Sequence, residues 1–231
     1  MPDLRISVIV PVLNEAQGLA LTLQACRDPL VSEIVVVDGG SQDGTPEIAA
    51  QRGARVIESA RGRASQMNAG AAAASGEILL FLHGDTLLPK GFGHEIHAVL
   101  AQADTAAGAF RLRIGAAGFS YRIIEQMVNC RSRIFGLPYG DQALFLFRRT
   151  FSASPGFPPL PIMEDLVYVR SLGNLGRIAI SRKSVITSAR RWERTGVWKM
   201  TLINQLALLT YLAGSDPERI ARWYRKRTRI E

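Results

Sequence analysis

Five apolar residues in a row, Ile78-Leu79-Leu80-Phe81-Leu82, stand between Gly76 and the turn Gly84-Asp85. A run this short and this apolar reads as a strand buried on both faces, in the middle of a parallel sheet. It delivers the chain into His83-Gly84-Asp85. In open α/β sheets the ligand crevice lies at the carboxyl ends of the strands, so Asp85 is predicted at such a crevice. An isolated Asp in this position is as easily a turn or cap residue. The neighbouring stretches decide the matter.

Ile6–Pro11 reads as the first strand, stopped by Pro11, with Asn14-Glu15 in the following loop. Leu19, Leu23 and Ala25 give a helical stripe for which Asn14 is the expected cap. Ile34–Val37 is a second buried strand, ending in Asp38-Gly39-Gly40-Ser41-Gln42-Asp43-Gly44. Thr45-Pro46 starts a helix that stops at Gly53. Arg55–Ile57 is a third strand. Arg61-Gly62-Arg63 opens an Ala-rich helix, Ala64–Ser75, ahead of the central run. Four alternations of strand and helix in under ninety residues predict an α/β fold. Its sheet is doubly wound and mostly parallel, with helices on both faces.

The second half is less regular. Strands are expected over Gly108–Ile114, Gln142–Arg148, Ile178–Ile180 and Val185–Thr187. Phe119–Arg131 reads as a helix with Phe119, Ile123 and Met127 on one face. A short helix follows Glu164-Asp165, with Leu166, Val169 and Leu172 on its apolar side. An apolar helix, Val197–Ala213, precedes a basic segment. Residues 1–195 are taken as the main domain and 196–231 as its helical, basic extension.

Four polar groups converge on one sheet edge in this scheme: Asn14-Glu15, Asp38 with Asp43, Arg61 with Arg63, and His83 with Asp85. Acids there accept hydrogen bonds from a nucleobase or ribose. Asp85 also suits a hard divalent cation shared with phosphates. Arg63 at a helix N-terminus favours an anion. The phosphate loop Gly-x-x-x-x-Gly-Lys, the dinucleotide Gly-x-Gly-x-x-Gly, a Ser-His-Asp elbow and His-Glu-x-x-His are all absent. His94 and His97 fall on a helix, where solvent or a satisfied pocket is the expected surrounding rather than a metal. Cys26 and Cys130 make neither a disulfide framework nor a metal set, which fits a reducing cytoplasm. Met1-Pro2-Asp3 does not read as a signal-peptide start, and no apolar run is long enough to span a bilayer. The net charge of +8 points to an anionic partner.

Taken together, Pro11-Val12-Leu13-Asn14-Glu15, Val37–Thr45 and Leu82-His83-Gly84-Asp85 resemble the motifs of family 2 glycosyltransferases with a GT-A fold. Glu164-Asp165 and Arg190-Arg191-Trp192 extend the resemblance. The branch it is most similar to is that of the radical-SAM/selenodomain-associated transferases 2. The resemblance implies an inverting transfer of a sugar from a nucleotide-diphosphate donor to a hydroxyl acceptor, with Mn or Mg as cofactor. It implies a nucleotide site of Pro11, Asn14, Glu15, Asp38, Asp43, Arg63 and His83, in which Glu15 and Asp38 meet the base and ribose. It makes Asp85 the metal-binding residue and Asp165 the general base, with Glu164 beside it. The acceptor side falls, by position, to Tyr139 and Asp141, with Arg191 and Trp192. This chain departs from the family pattern at His83, where the motif's first Asp would stand, and in lacking the Gln of Gln-x-x-Arg-Trp.

Two other readings compete. A nucleotidyltransferase shares the layout, but carries a Gly-rich basic loop after the first strand, where this chain has Val12-Leu13-Asn14-Glu15. A non-catalytic module for anionic lipid or nucleic acid draws on the charge and the basic C-terminus. It leaves the acids at the strand ends without a role, and nucleic acid is not the expected partner. Contact with an anionic membrane is predicted for the apolar stripe Leu202, Leu206, Leu209 and Tyr211, followed by Arg222, Arg225, Lys226, Arg227 and Arg229. The expected location is cytoplasmic, at the inner face of the membrane.

Overall fold

The computed structural model describes residues 4–228. Met1-Pro2-Asp3 and Arg229 lie outside the described residues. In chain order, β1 (Ile6–Val12), α1 (Ala16–Ala25), β2 (Val31–Asp38), α2 (Thr45–Gln51), β3 (Arg55–Glu58), α3 (Arg63–Ala73) and β4 (Ile78–Phe81) form the regular first half. β5 (Thr86–Leu87), α4 (Phe92–Leu100), β6 (Thr105–Ile114), α5 (Phe119–Phe135), β7 (Phe145–Phe147), α6 (Arg148–Ser152), α7 (Glu164–Leu172) and β8 (Arg177–Thr187) follow. Three helices close the described chain: α8 (Arg190–Thr195), α9 (Val197–Leu212) and α10 (Pro217–Thr228).

The strands form one sheet in the order β3-β2-β1-β4-β7-β6-β8-β5. Only β7 and β5 run against their neighbours, so six of the eight strands share a direction. Helices cover both faces because the inner strands alternate between two apolar cores. Val8 and Val10 of β1 and Leu80 of β4 pack with Leu19, Leu23, Phe92 and Ile96 of α1 and α4. Ile9, Leu79 and Phe81 pack the other way, with Met67 and Ala71 of α3 and Tyr168 of α7. Each of the Val, Leu, Ile, Phe and Met side chains among these contributes roughly 1.5–3 kcal/mol when fully buried. α3 lies close on β1 because Gly70 has no side chain; an added Cβ would fall inside contact distance of Ile9 and 2.9 Å from Val37 Cγ2.

Several boundaries differ from the sequence expectation. Pro11 does not stop β1: it is buried and pairs with Val37. The ladder to β4 ends at Ile9↔Phe81, so Pro11 lacks a partner strand only on the side where it needs none. Asn14 does not cap α1. It stands at φ +54, and the N-cap is Glu15, without a side-chain cap bond. The expected strand Gln142–Arg148 shrinks to β7, with a 3-10 turn over Gly140–Gln142 in front. The two expected strands 178–180 and 185–187 are one, β8, interrupted by a register shift at Ser181–Lys183. Ser181 Oγ donates to Glu95 at 2.6 Å there. The face of α5 that carries Phe119 and Met127 points outward, with those residues 81% and 52% exposed. The basic segment after α9 is a helix, α10, anchored by buried Ile220 and Ala221. Among the described residues no helix is long and apolar enough to cross a membrane.

Candidate active site

β1, β2 and β4 all end at one edge of the sheet, and their loops interlock. Gln66, buried on α3, donates its Nε2 to the carbonyls of Val12 at 2.7 Å and Val37 at 2.8 Å, fixing two strand ends side by side. Asp38 closes β2. Its Oδ2 accepts from the Gly40 and Ser41 amides at 2.9 Å, and its Oδ1 from Ser41 Oγ at 2.5 Å. Asn14 ties the first loop to the second: its amide donates to Ser41 Oγ and its Oδ1 accepts from the Gln42 amide, both at 2.9 Å. Asp43 accepts from the Ala16 amide at 3.1 Å and from Thr45 Oγ1 at 2.5 Å. Burial works to raise its pKa, but these hydrogen bonds outweigh it and hold Asp43 below the usual carboxylate range.

Asp85 sits in the turn between β4 and β5. Arg190, at the start of α8, reaches back with one nitrogen to Glu15 Oε2 at 2.5 Å and to Asp85 Oδ2 at 3.4 Å. The same edge therefore holds two acids against one cation. Asp85 Oδ1 has only a 3.5 Å contact with Thr86 Oγ1. Among the described residues no group of three or more His, Cys, Asp or Glu side chains is set to hold a metal alone. A Mg or Mn ion bound through a single carboxylate and completed by substrate phosphates needs no such group. The residues at Asp85 fit that mode.

Beside this edge opens a cavity of about 370 Å³. Arg63, His83, Tyr139, Asp141, Glu164, Asp165, Arg191 and Trp192, eight of the residues singled out in the sequence, line it. Pro11, Asn14, Glu15, Asp38, Asp43 and Asp85 do not; they form the adjoining loop cluster. Arg61 is exposed and lines no part of it. Met163 at φ +68 turns the chain into α7 and aims Glu164 and Asp165 inward. Glu164 is buried and pairs with Arg63 Nε at 3.0 Å. Asp165 Oδ2 accepts from the Gly140 amide at 3.1 Å.

The electrostatics are those of a crowded pocket of buried acids and cations. Burial first, then the Glu164 charge, pushes Asp165 up to about 7, with Arg63 opposing. Burial raises Asp141 as well. Burial and the Arg63 charge drive His83 down to about 3, so its imidazole is neutral. Arg63 is held charged by Glu164. Among the described residues, the buried side-chain nitrogens and oxygens without a partner all lie on this cavity: His83 Nε2, Arg131 Nη2, Asp141 Oδ1, Asp165 Oδ1 and Trp192 Nε1, while Glu164 Oε1 is held only by its ion pair with Arg63. Unmet polar groups of this kind cost about 1–3 kcal/mol each unless water or a ligand completes them. The wall is built to receive one.

Four contributors are not evident from the sequence pattern. Gln66 and Arg131 sit in helices with nothing in their surroundings to single them out. Arg190 stands next to Arg191 and Trp192, which is the one hint available. Tyr224 comes from the C-terminal helix, lines the cavity and donates to Asn204 Oδ1 at 2.8 Å.

A sequence profile described as Glycosyl transferase family 2 matches residues 7–157. Glycosyltransferase AglE of Haloferax volcanii is 38% identical over 91 residues, 35% of this chain and 30% of that protein. Glucosyl-3-phosphoglycerate synthase of Mycobacterium tuberculosis is 32% identical over 96 residues, 36% of this chain and 30% of the relative. The chain thus aligns with about a third of the length of these relatives. Among solved structures, the mannosyltransferase PcManGT of Pyrobaculum calidifontis, in complex with GDP-Man and Mn2+, superposes with a TM-score of 0.68 at 20% identity, covering 93% of this chain and 66% of that one. The M. tuberculosis glucosyl-3-phosphoglycerate synthase with Mn2+, UDP and phosphoglyceric acid gives 0.62 at 20% identity, covering 92% and 80%. These likenesses fix the fold as GT-A.

Proposed function

The chain belongs to glycosyl transferase family 2, and from that membership we propose that it is an inverting, nucleotide-sugar-dependent glycosyltransferase. The observation that carries the reading is the set of buried, unpartnered polar atoms gathered on one cavity beside the loop cluster of the sheet edge. Glu15 and Asp38 meet the base and ribose, Asp43 and Asn14 brace their loops, and Arg63 and His83 stand where the donor enters the cavity. Asp85 would hold a Mn or Mg ion, which would supply positive charge to the diphosphate. The mannosyltransferase and the synthase named above were solved with Mn2+ and a nucleotide ligand, which supports that assignment by analogy of fold.

Asp165 takes the proton of the acceptor hydroxyl on Oδ1 while that oxygen bonds to the anomeric carbon. The bond from that carbon to the phosphate oxygen breaks on the opposite face, and the nucleoside diphosphate leaves with the electron pair. Glu164 keeps Arg63 charged and in place. Tyr139, Asp141, Arg191 and Trp192 surround the acceptor. The order and spacing of the motifs together are the ground for placing the chain in the radical-SAM/selenodomain-associated branch. Residues 196–231 extend the same domain, since α9 and α10 contribute Asn204 and Tyr224 to the cavity. The exposed stripe on α9 and the basic residues of α10 support peripheral contact with an anionic membrane, on the cytoplasmic side. A thermal-shift screen with UDP, GDP, CDP and dTDP sugars, with and without manganese, tests the donor half. One donor raises the melting temperature, more so with metal. No shift with any of them contradicts the reading.

A further inference from the structure

The cavity has two unlike kinds of lining. One is polar, with the acids of α7 and the 3-10 turn. The other is an apolar wall of Leu112 of β6, Ile124, Met127 and Val128 of α5, and Leu208 of α9. Nothing in the donor chemistry uses that second wall. It is also not closed off from outside. Met127 belongs both to the cavity and to the outward stripe of α5, where Phe119 is 81% and Ile134 67% exposed. α9, whose Leu208 lines the cavity, is apolar nearly all round and presents Trp198, Leu202 and Leu209 outward at 56–60% exposure. A helix apolar on every side is normally covered. Here apolar surface runs from the exterior of α5 and α9 into the cavity. Patches of this kind mark binding surfaces.

Arg131, on α5, lines the same cavity. Its guanidinium carbon lies 3.6 Å above the Tyr139 ring centre, and its Nε donates to the Leu137 carbonyl at 3.3 Å. Two contacts fix the group, yet its Nη2 is buried without a partner. Asp141 senses the Arg131 charge, but no carboxylate among the described residues pairs with it. A held, planar, unpaired guanidinium suits an oxyanion such as a phosphate or carboxylate.

We infer that the acceptor is an anionic amphiphile: a hydroxyl at Asp165, an anionic group on Arg131, and an apolar chain leaving between α5 and α9. This rests on the transferase reading and adds the acceptor's class to it. The three features are separable in simple probes used below their micelle concentration. Lysophosphatidate has chain, phosphate and free hydroxyl; monoacylglycerol lacks the phosphate; glycerol phosphate lacks the chain. Calorimetry on the full chain is expected to give saturable binding of lysophosphatidate about tenfold or more tighter than either of the others. Arg131→Gln erases the preference over monoacylglycerol, and Arg131→Lys keeps part of it. Met127→Glu weakens both chain-bearing probes and spares glycerol phosphate. It is at an exposed helix position, so it carries the test if Arg131→Gln fails to fold. Equal affinities for the three probes, unsaturable partitioning, or an unchanged preference in folded Arg131→Gln overturns the proposal. Nucleotide titrations on the same samples keep the two readings apart. Nucleotide binding without amphiphile preference contradicts the acceptor alone. Amphiphile preference without nucleotide binding contradicts the transferase.

Discussion

A carboxyl group that is buried, and then also faced by another acid, keeps its proton towards neutrality, and Asp165 is in that position beside Glu164. As a base it must be ionised, so transfer is expected to fall in acid with a midpoint near its value of about 7. Asp165→Asn should cost a hundredfold or more in transfer, the usual scale for losing a general base. Nucleotide binding should persist, and the residual rate should lose the acid limb. A near wild-type rate in that variant would move the base elsewhere, with Asp141 next. Stability gives an independent check of sign. A folded-state pKa raised from the ordinary 3.8 contributes stability below about 4, lost as the pH rises to about 7. Asp165→Asn should therefore melt higher than wild type at pH 8 and equally at pH 4, by roughly 4 kcal/mol at the ceiling. Gly140→Ala should act on the same site, since an added Cβ would crowd Asp165 and lie 2.7 Å from His83 Nε2. Transfer should drop; an unimpaired rate would mean the turn is loose. Glu164-Asp165 was legible as an acid pair after a Pro-rich loop. The need for glycine at 140 was not, because its neighbours come from β4's end and α7.

Helices and strands divide by how much of their pattern is local. β1, β2 and β4 could be read directly, as apolar runs that end in polar loops. α5 could be read as a helix, but not which way its stripe faced: Phe119 and Met127 show the same spacing whether they meet a core or solvent. β8 reads as two strands because the bulge residues Ser181–Lys183 break its apolar pattern, and the bulge is defined only by its partner β6. At this scale two outcomes are expected. Gly70→Ala should destabilise by about 1–3 kcal/mol, the cost of overpacking a close helix–strand contact, measured by urea unfolding. An unchanged midpoint would show that α3 can lift off β1. Full-length protein should sediment with anionic vesicles and release in salt, and Leu202→Glu with Leu209→Glu should reduce it. Replacing Arg222, Arg225, Lys226 and Arg227 by Gln should remove the salt dependence. Sedimentation untouched by both sets of changes would leave α9 and α10 without a membrane role.

Across the whole molecule the site is an assembly of distant parts. Arg190 meets Glu15 across 175 positions and Asp85 across 105. Gln66 reaches two strands at once, and the cavity draws on α3, α5, α7, α8, α9 and α10. Motif order and spacing made the family and its sheet edge legible. Pairings such as these depend on how the second half folds back over the first, and no local pattern encodes them. The central claim is that this edge binds a nucleoside diphosphate with a divalent ion at Asp85. Asn keeps the shape of that side chain and removes its charge. Calorimetry of UDP and GDP with manganese, on wild type and Asp85→Asn, therefore tests the claim most directly. The expected result is metal-dependent binding of one nucleotide in wild type and its loss in the variant, with circular dichroism unchanged. Metal-dependent affinity that survives in Asp85→Asn, or no binding of either nucleotide by the wild-type chain, would contradict the account.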